Sequence, residues 1–141
     1  MASAIVKMVP QVQEGGTISL FQSSHSDYKD GEQQRDFIYV KDVAAITCDV
    51  VESSLCGIYN VGTGQAATWN RLACAVFEAL GKKPCIEYIP LPSDLKGKYQ
   101  NYTQANVGKI EQALGKKVAQ DSLEQAVSDY IVTHLIKDTI W

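Results

Sequence analysis

Arg35-Asp36-Phe37-Ile38-Tyr39-Val40-Lys41-Asp42-Val43-Ala44 decides the fold. Phe37 to Val40 are aromatic and β-branched, residue types that suit a pleated, packed surface, so they predict a strand. Asp42 is a residue type that accepts from the free N–H groups of a first helical turn. Val43, Ile46, Thr47, Val50 and Val51 then recur at helical spacing. The order is charged loop, strand, helix, with Arg35 at the edge of the strand. A guanidinium presents five donors in a planar fork that matches a carboxylate or a diphosphate. Two partners therefore stay open for Arg35: an anionic ligand, or a local carboxylate such as Asp36 or Glu32.

On the N-terminal side, Ala4, Ile5, Met8, Val9 and Val12 are apolar at helical spacing up to Glu14-Gly15-Gly16, which predicts a short helix interrupted or begun late at Pro10. Thr17 to Phe21 reads as a strand, and Gln22 to Gln34 as a polar loop of a length that more often serves function than mere connection. His25 in that loop has no second His or Cys at ligand spacing and reads as a surface histidine; no metal is expected.

On the C-terminal side, Gly57 to Val61 predicts a short strand and Gly62-Thr63-Gly64 its exit turn. The turn lacks the third glycine and the distant acidic residue of a dinucleotide fingerprint. Thr68 is the expected N-cap of a helix from Trp69 to Leu80, closed by Gly81, and Ile86 to Ile89 is the next strand. Leu91 to Tyr102 carries Lys96, Lys98, Tyr99 and Tyr102 without periodicity. It reads as a ligand-facing loop, the alternative being a connection whose tyrosines pack by their rings. Thr103 is expected to cap a helix running to Leu114, and Asp121 or Ser122 one from Leu123 to about Leu135, with His134 a packed or fraying-end residue.

A chain of 141 residues that is 45% hydrophobic is one domain in size and can bury a substantial core. Its net charge of -3 gives no basic field for a nucleic acid. No stretch approaches the roughly 20 apolar residues that span a bilayer, and Met1 to Lys7 lacks the basic start of a secretory signal, so the expectation is a cytoplasmic protein without a membrane partner. Cys48, Cys56, Cys74 and Cys85 have no Cys-x-x-Cys spacing and read as reduced thiols in or near the core. Helices and short strands alternate as in an α/β layer arrangement, but the strands are too few for a complete doubly wound sheet.

Arg-Asp-Phe-Ile-Tyr-Val-x-Asp-Val-Ala at 35–44, followed by Gly-Ile-Tyr-Asn-Val-Gly-Thr-Gly at 57–64, resembles the C-terminal half of the extended short-chain dehydrogenase/reductase family, the NAD-dependent epimerases and dehydratases of nucleotide sugars. Leu20 to Ser24, and Ile86 to Pro90 running into Leu95 to Gln100, look like the branch that epimerises ADP-heptose at C6″. The resemblance implies an α/β fold with short strands, several helices and an incomplete Rossmann sheet. Residues 1–141 would form the substrate-binding C-terminal portion of an isomerase, without its cofactor-binding half. For the whole enzyme it implies an NADP-dependent epimerisation, by transient oxidation at C6″ and hydride return to the other face. It also implies a product used in lipopolysaccharide inner-core assembly and a homo-oligomer.

In that family the substrate contacts fall on a Phe-x-x-Ser loop, on the arginine of Arg-Asp-Phe and on the tyrosine of Lys-Gly-x-Tyr. Here these are Phe21, Gln22, Ser23 and Ser24, then Arg35 and Tyr99, and Lys7 stands where the family can carry a substrate-contacting histidine. By residue type, Arg35 suits a diphosphate, Tyr99 a phosphate or sugar oxygen, and Phe21 either a base or the core. The family's catalytic Tyr-x-x-x-Lys is absent. Four residues beyond Tyr28, Tyr39, Tyr59, Tyr88, Tyr99, Tyr102 and Tyr130 stand Glu32, Val43, Thr63, Pro92, Thr103, Asn106 and His134. No catalytic or cofactor-binding residue is therefore expected in this chain, and NADP would bind the missing N-terminal half. Two other readings stay open: the same portion of another nucleotide-sugar epimerase or dehydratase, and a non-catalytic ligand-binding or oligomerisation module.

Overall fold

The computed structural model describes residues 3–137. Helix α1 (Ala4–Pro10) runs on into a wider turn over Gln11–Gly15 and places Met8, Val9 and Val12 inside. Strand β1 (Ile18–Phe21) buries Ile18 and Leu20 and exposes Ser19, the period of two expected of a strand with one covered face. It pairs in parallel with β4 (Ile86–Ile89), Ile18 opposite Ile86 and Phe21 opposite Ile89. Helix α3 (Trp69–Ala79) packs Leu72, Ala73, Ala75, Val76 and Phe77 against this pair, α1 and the last helix. That last helix, α5 (Leu123–Asp129), continues as a wider turn through Tyr130–Leu135. Two caps follow the sequence: Thr68 Oγ1 accepts from Arg71 N–H, and Ser122 forms a reciprocal capping box with Gln125.

A second, smaller cluster joins Ile46 of α2 (Val40–Glu52) to Val107, Val118 and Ile110, the last on α4 (Gly108–Leu114). Between the two clusters lies an antiparallel pair only two residues long, β2 (Gln34–Arg35) on β3 (Ala67–Thr68).

Several expectations fail here, each for a visible reason. Phe37 to Val40 is not a strand. Tyr39 is the extended residue before α2, and the aromatic side chains act as anchors: Phe37 meets Trp69 edge-on at 5.1 Å, and the Tyr39 hydroxyl donates to Asp129 at 2.6 Å. Asp42 is not the cap either. It lies inside the first turn of α2, buried, where loss of solvation raises its pKa against the opposing hydrogen bond from the Gln120 N–H. Gly57 to Val61 forms no ladder, since Lys109 Nζ donates to Ile58 O at 2.8 Å and holds the carbonyl that a neighbouring strand would use. Thr103 caps nothing; its N–H donates to Gln34 O at 3.2 Å, and α4 begins only after Asn106 Oδ1 accepts from Gly108 N–H. All four cysteines are unpaired but exposed, because Cys48 and Cys74 fall on the outer faces of α2 and α3 and Cys56 and Cys85 on loops.

Candidate functional site

Strand β2 owes its place to hydrogen bonds on both sides. Besides pairing with β3, Gln34 N–H donates to Asn101 O at 2.9 Å, which draws the 99–103 loop alongside. Arg35 therefore lies against Tyr99, its guanidinium carbon 5.3 Å from the ring centroid, a cation–π distance. Arg35 Nη1 donates to Gln34 O at 2.8 Å and Nη2 to Gln100 O. Phe21, at the carboxyl end of β1, meets the Tyr99 ring edge-on at 6.3 Å and 87°. Three of the sequence-predicted residues thus converge beside the carboxyl ends of two parallel strands, the place where ligands of open α/β sheets bind.

Neither carboxylate considered for Arg35 pairs with it. Glu32 Oε1 accepts from Asn70 Nδ2 at 2.6 Å. Asp36 accepts from Thr63 N–H (2.8 Å), Thr63 Oγ1 (2.6 Å), Gly64 N–H (3.0 Å) and Ala105 N–H (3.0 Å). Partial burial alone would raise the Asp36 pKa, but these donors outweigh it and hold the carboxyl below its ordinary value. For Tyr99 burial dominates and raises the phenol, against the Arg35 charge and the nearby Trp69 indole N–H; that N–H falls short of hydrogen-bond geometry. The phenol is protonated at neutral pH and can donate.

The rest of the predicted set divides. Gln22 is exposed, its N–H donating to Ile89 O at 2.8 Å. Ser23 N–H donates to Asp30 Oδ1 at 2.7 Å and its hydroxyl to His25 O at 3.0 Å, and Ser24 is exposed next to it. Lys7 is exposed in the last turn of α1, and no hydrogen bond or ion pair ties it to Arg35, Tyr99 or Phe21. Sequence reasoning missed the groups behind the trio. Asp36 entered it only as a salt-bridge partner, and Asn70 not at all. Gln33, 1% exposed, has both ends of its amide unpartnered among the described residues, and Trp69 Nε1 and Asn101 Oδ1 are likewise buried without partners. Only Arg-Asp-Phe held a signal, since a short acid beside a functional arginine can equally staple the backbone.

The Gly62-Thr63-Gly64 turn does not form a phosphate cradle. A phosphate loop offers free N–H groups, but those of Thr63 and Gly64 are spent on Asp36. A Cβ on Gly62 would stand 2.7 Å from Asp36 Oδ2 and 2.4 Å from the Ala105 Cβ, so this glycine serves close packing. Among the described residues no cluster of His, Cys, Asp or Glu could hold a metal, and no helix is long and apolar enough to cross a membrane. Two cavities, of about 350 and 550 Å³, are lined by Phe37 and Tyr39 and by none of Arg35, Tyr99 and Phe21. Arg35, Tyr99 and Phe21 are each half-buried.

Residues 1–62 match the family described as NAD dependent epimerase/dehydratase. The chain is 45% identical over 136 residues to the ADP-L-glycero-D-manno-heptose-6-epimerase of Nitratidesulfovibrio vulgaris strain Hildenborough, covering 96% of this chain and 42% of that one. It is 38% identical to the enzyme of the same name from Fusobacterium nucleatum, over 98% of this chain and 43% of the relative. The chain thus spans about two fifths of the length of the curated relatives it matches. Among solved structures, the Helicobacter pylori ADP-L-glycero-D-manno-heptose-6-epimerase superposes with a TM-score of 0.75 at 26% identity, over 94% of this chain and 38% of that one. The fold also matches a dTDP-glucose 4,6-dehydratase from Bacillus anthracis, solved with NAD, at a TM-score of 0.75 and 20% identity, over 99% and 41% of the two chains.

Proposed function

Because residues 1–62 match the NAD dependent epimerase/dehydratase family and the chain is 45% identical to an ADP-L-glycero-D-manno-heptose-6-epimerase, we propose that residues 1–141 are the substrate-binding, C-terminal portion of a longer ADP-heptose 6-epimerase. The observation that carries this reading is the convergence of Arg35, Tyr99 and Phe21 at the carboxyl ends of β1 and β4. Arg35, paired with neither Asp36 nor Glu32, lays its fork against the diphosphate; Tyr99 donates its phenol to a phosphate or sugar oxygen; Phe21 offers an apolar edge to the adenine. Gln22, Ser23 and Ser24 border the same surface, and Lys7 approaches the sugar from α1. Similarity to enzymes named for an ADP-linked heptose supports the choice of base and sugar.

The oxidation and reduction at the sugar belong to residues outside this chain, with NADP on that other portion. One feature supports a missing portion: α2 exposes Val40, Ala44, Cys48 and Val51 along one face. The product feeds the inner core of lipopolysaccharide, and the enzyme works in the cytoplasm as a homo-oligomer.

The reading is tested on the full-length enzyme by calorimetric titration with ADP, UDP and dTDP, beside thermal melts. ADP binds tightest. Arg35→Lys keeps the charge but loses the fork, so it weakens ADP binding nearly as much as Arg35→Ala. A charge-assisted contact worth roughly 1.5 to 3 kcal/mol makes that loss at least about tenfold. Unchanged ADP affinity in Arg35→Ala removes Arg35 from the site, and a preference for UDP or dTDP replaces the adenine nucleotide with another.

A further inference from the structure

The loop from Gln22 to Gln33 is polar and rich in Ser, Asp and Gly, yet the first turn of α3 fixes its conformation. The N–H groups of a first helical turn have no partner within the helix, and here carbonyls of the loop supply them. Trp69 N–H donates to Gln33 O at 3.2 Å and Asn70 N–H to Gly31 O at 3.0 Å. The Asn70 side chain completes the attachment: Nδ2 donates to Asp30 O at 3.1 Å and to Glu32 Oε1 at 2.6 Å, while Oδ1 accepts from the Tyr88 hydroxyl on β4 at 3.0 Å. Gly31, at φ +73°, is pressed so close that a Cβ there would stand 2.0 Å from Asn70 Oδ1. Asp30, whose carbonyl Asn70 holds, accepts the Ser23 N–H on its carboxylate at 2.7 Å. A continuous line of contacts therefore runs from α3 through Asn70 and Asp30 to Ser23, and a second runs through Glu32 toward β2 and Arg35.

We infer that Asn70 is a positioning residue for nucleotide-sugar binding, latching the 30–32 turn so that the Phe21–Ser24 run and Arg35 stand preformed on either side of it. The inference rests on the proposed role of those residues as substrate contacts. A preformed loop spares the entropy of ordering it when the ligand arrives, so loosening the latch weakens binding although Asn70 touches no ligand.

The experiment uses the full-length enzyme, with ADP and NADP titrated by calorimetry and a thermal melt of each variant. Asn70→Ala lowers ADP affinity about tenfold, as the loss of one or two hydrogen bonds allows, and leaves NADP affinity unchanged. Gly31→Ala, which drives a methyl into Asn70, weakens ADP at least as much. The double variant is no worse than Gly31→Ala alone, because the collision is gone. Val76→Ala, buried far along α3, is the control for general destabilisation and keeps its ADP affinity at a comparable fall in Tm. Should Asn70→Ala fail to fold, Asn70→Asp keeps the volume and the Tyr88 contact, loses the two donated bonds and gives the same reading. Wild-type ADP affinity in the Asn70 variant, with affinity lost in Arg35→Ala, overturns this inference alone. Equal ADP losses in Asn70→Ala and Val76→Ala overturn it too, since the effect is then one of stability. Wild-type affinity in Arg35→Ala instead fails the underlying site, and the latch with it.

Discussion

Helix α3, of 11 residues, buries Leu72, Ala73, Ala75, Val76 and Phe77, whereas α2, of 13, buries only Asp42 and Ile46. Both sequences are amphipathic, so the helical pattern does not separate them. Their neighbours do. Around α3 stand α1, the β1–β4 pair and α5, and Phe77 and Val76 are fully enclosed. Around α2 the apolar packing comes from α4 and neighbouring loops, with an ion pair from Lys41 to Asp129 of α5, and Val51 is 77% and Ile58 88% exposed. One region closes its own core; the other presents apolar surface that nothing among the described residues covers, as a layer between two others would.

The widest separation between the two regions comes from truncating their central residues. Phe77→Ala removes a fully buried ring from the α3 region and costs about 4 kcal/mol of unfolding free energy. Ile46→Ala, in a thinner cluster that can relax toward solvent, costs about 2 kcal/mol. Urea unfolding of this chain reads both, and equal losses would break the contrast.

Asp36 joins the regions, and its removal is the next largest effect. Asp36→Ala strands the N–H groups of Thr63, Gly64 and Ala105 and costs about 3 kcal/mol. The pH dependence has a defined sign. The folded Asp36 pKa lies below the ordinary 3.8, so its contribution is complete above the unfolded value and is lost as pH falls through the folded one. Asp36→Asn therefore flattens part of the acid limb below about pH 4; Asp129 and Glu124, also held low, keep the rest. Asp42 opposes them, because burial raises its pKa and its charged form is penalised at neutral pH. An acid limb in Asp36→Asn as steep as the wild type's would show that this staple does not hold the two regions together.

What could be read from the sequence follows the same division. Where an element is closed by its own neighbours, local chemistry sufficed: the Thr68 cap, the Ile86–Ile89 strand and the helix after Ser122 stand where periodicity and capping residues put them. Where pairing depends on distant chain, it did not. Phe37 to Val40 and Gly57 to Val61 have strand composition, but the first leads into α2 with Phe37 anchored on Trp69, and in the second Lys109 holds the Ile58 carbonyl. Arg35, Tyr99 and Phe21 come singly from a resemblance, and that their side chains meet is visible only in the fold. The carboxylate and amide that hold their surroundings were not legible, because a hydrogen bond between positions 36 and 105, or 70 and 30, leaves no periodic trace.

The smallest effect in this chain sharpens the contrast most. Val51→Ser and Ile58→Ser replace apolar side chains that already face water, so in the 141-residue chain each changes unfolding free energy by less than about 0.5 kcal/mol. If the α2 side receives another layer in the longer protein, the same substitutions place a hydroxyl in a covered apolar interface. There they forfeit burial of a Val or Ile side chain, about 1.5 to 3 kcal/mol. Denaturant unfolding of both variants in the short and the full-length protein gives four differences. A loss confined to the full-length protein supports the covered face; equal and negligible losses in both leave α2 solvated on that side, and the two regions then differ in size alone.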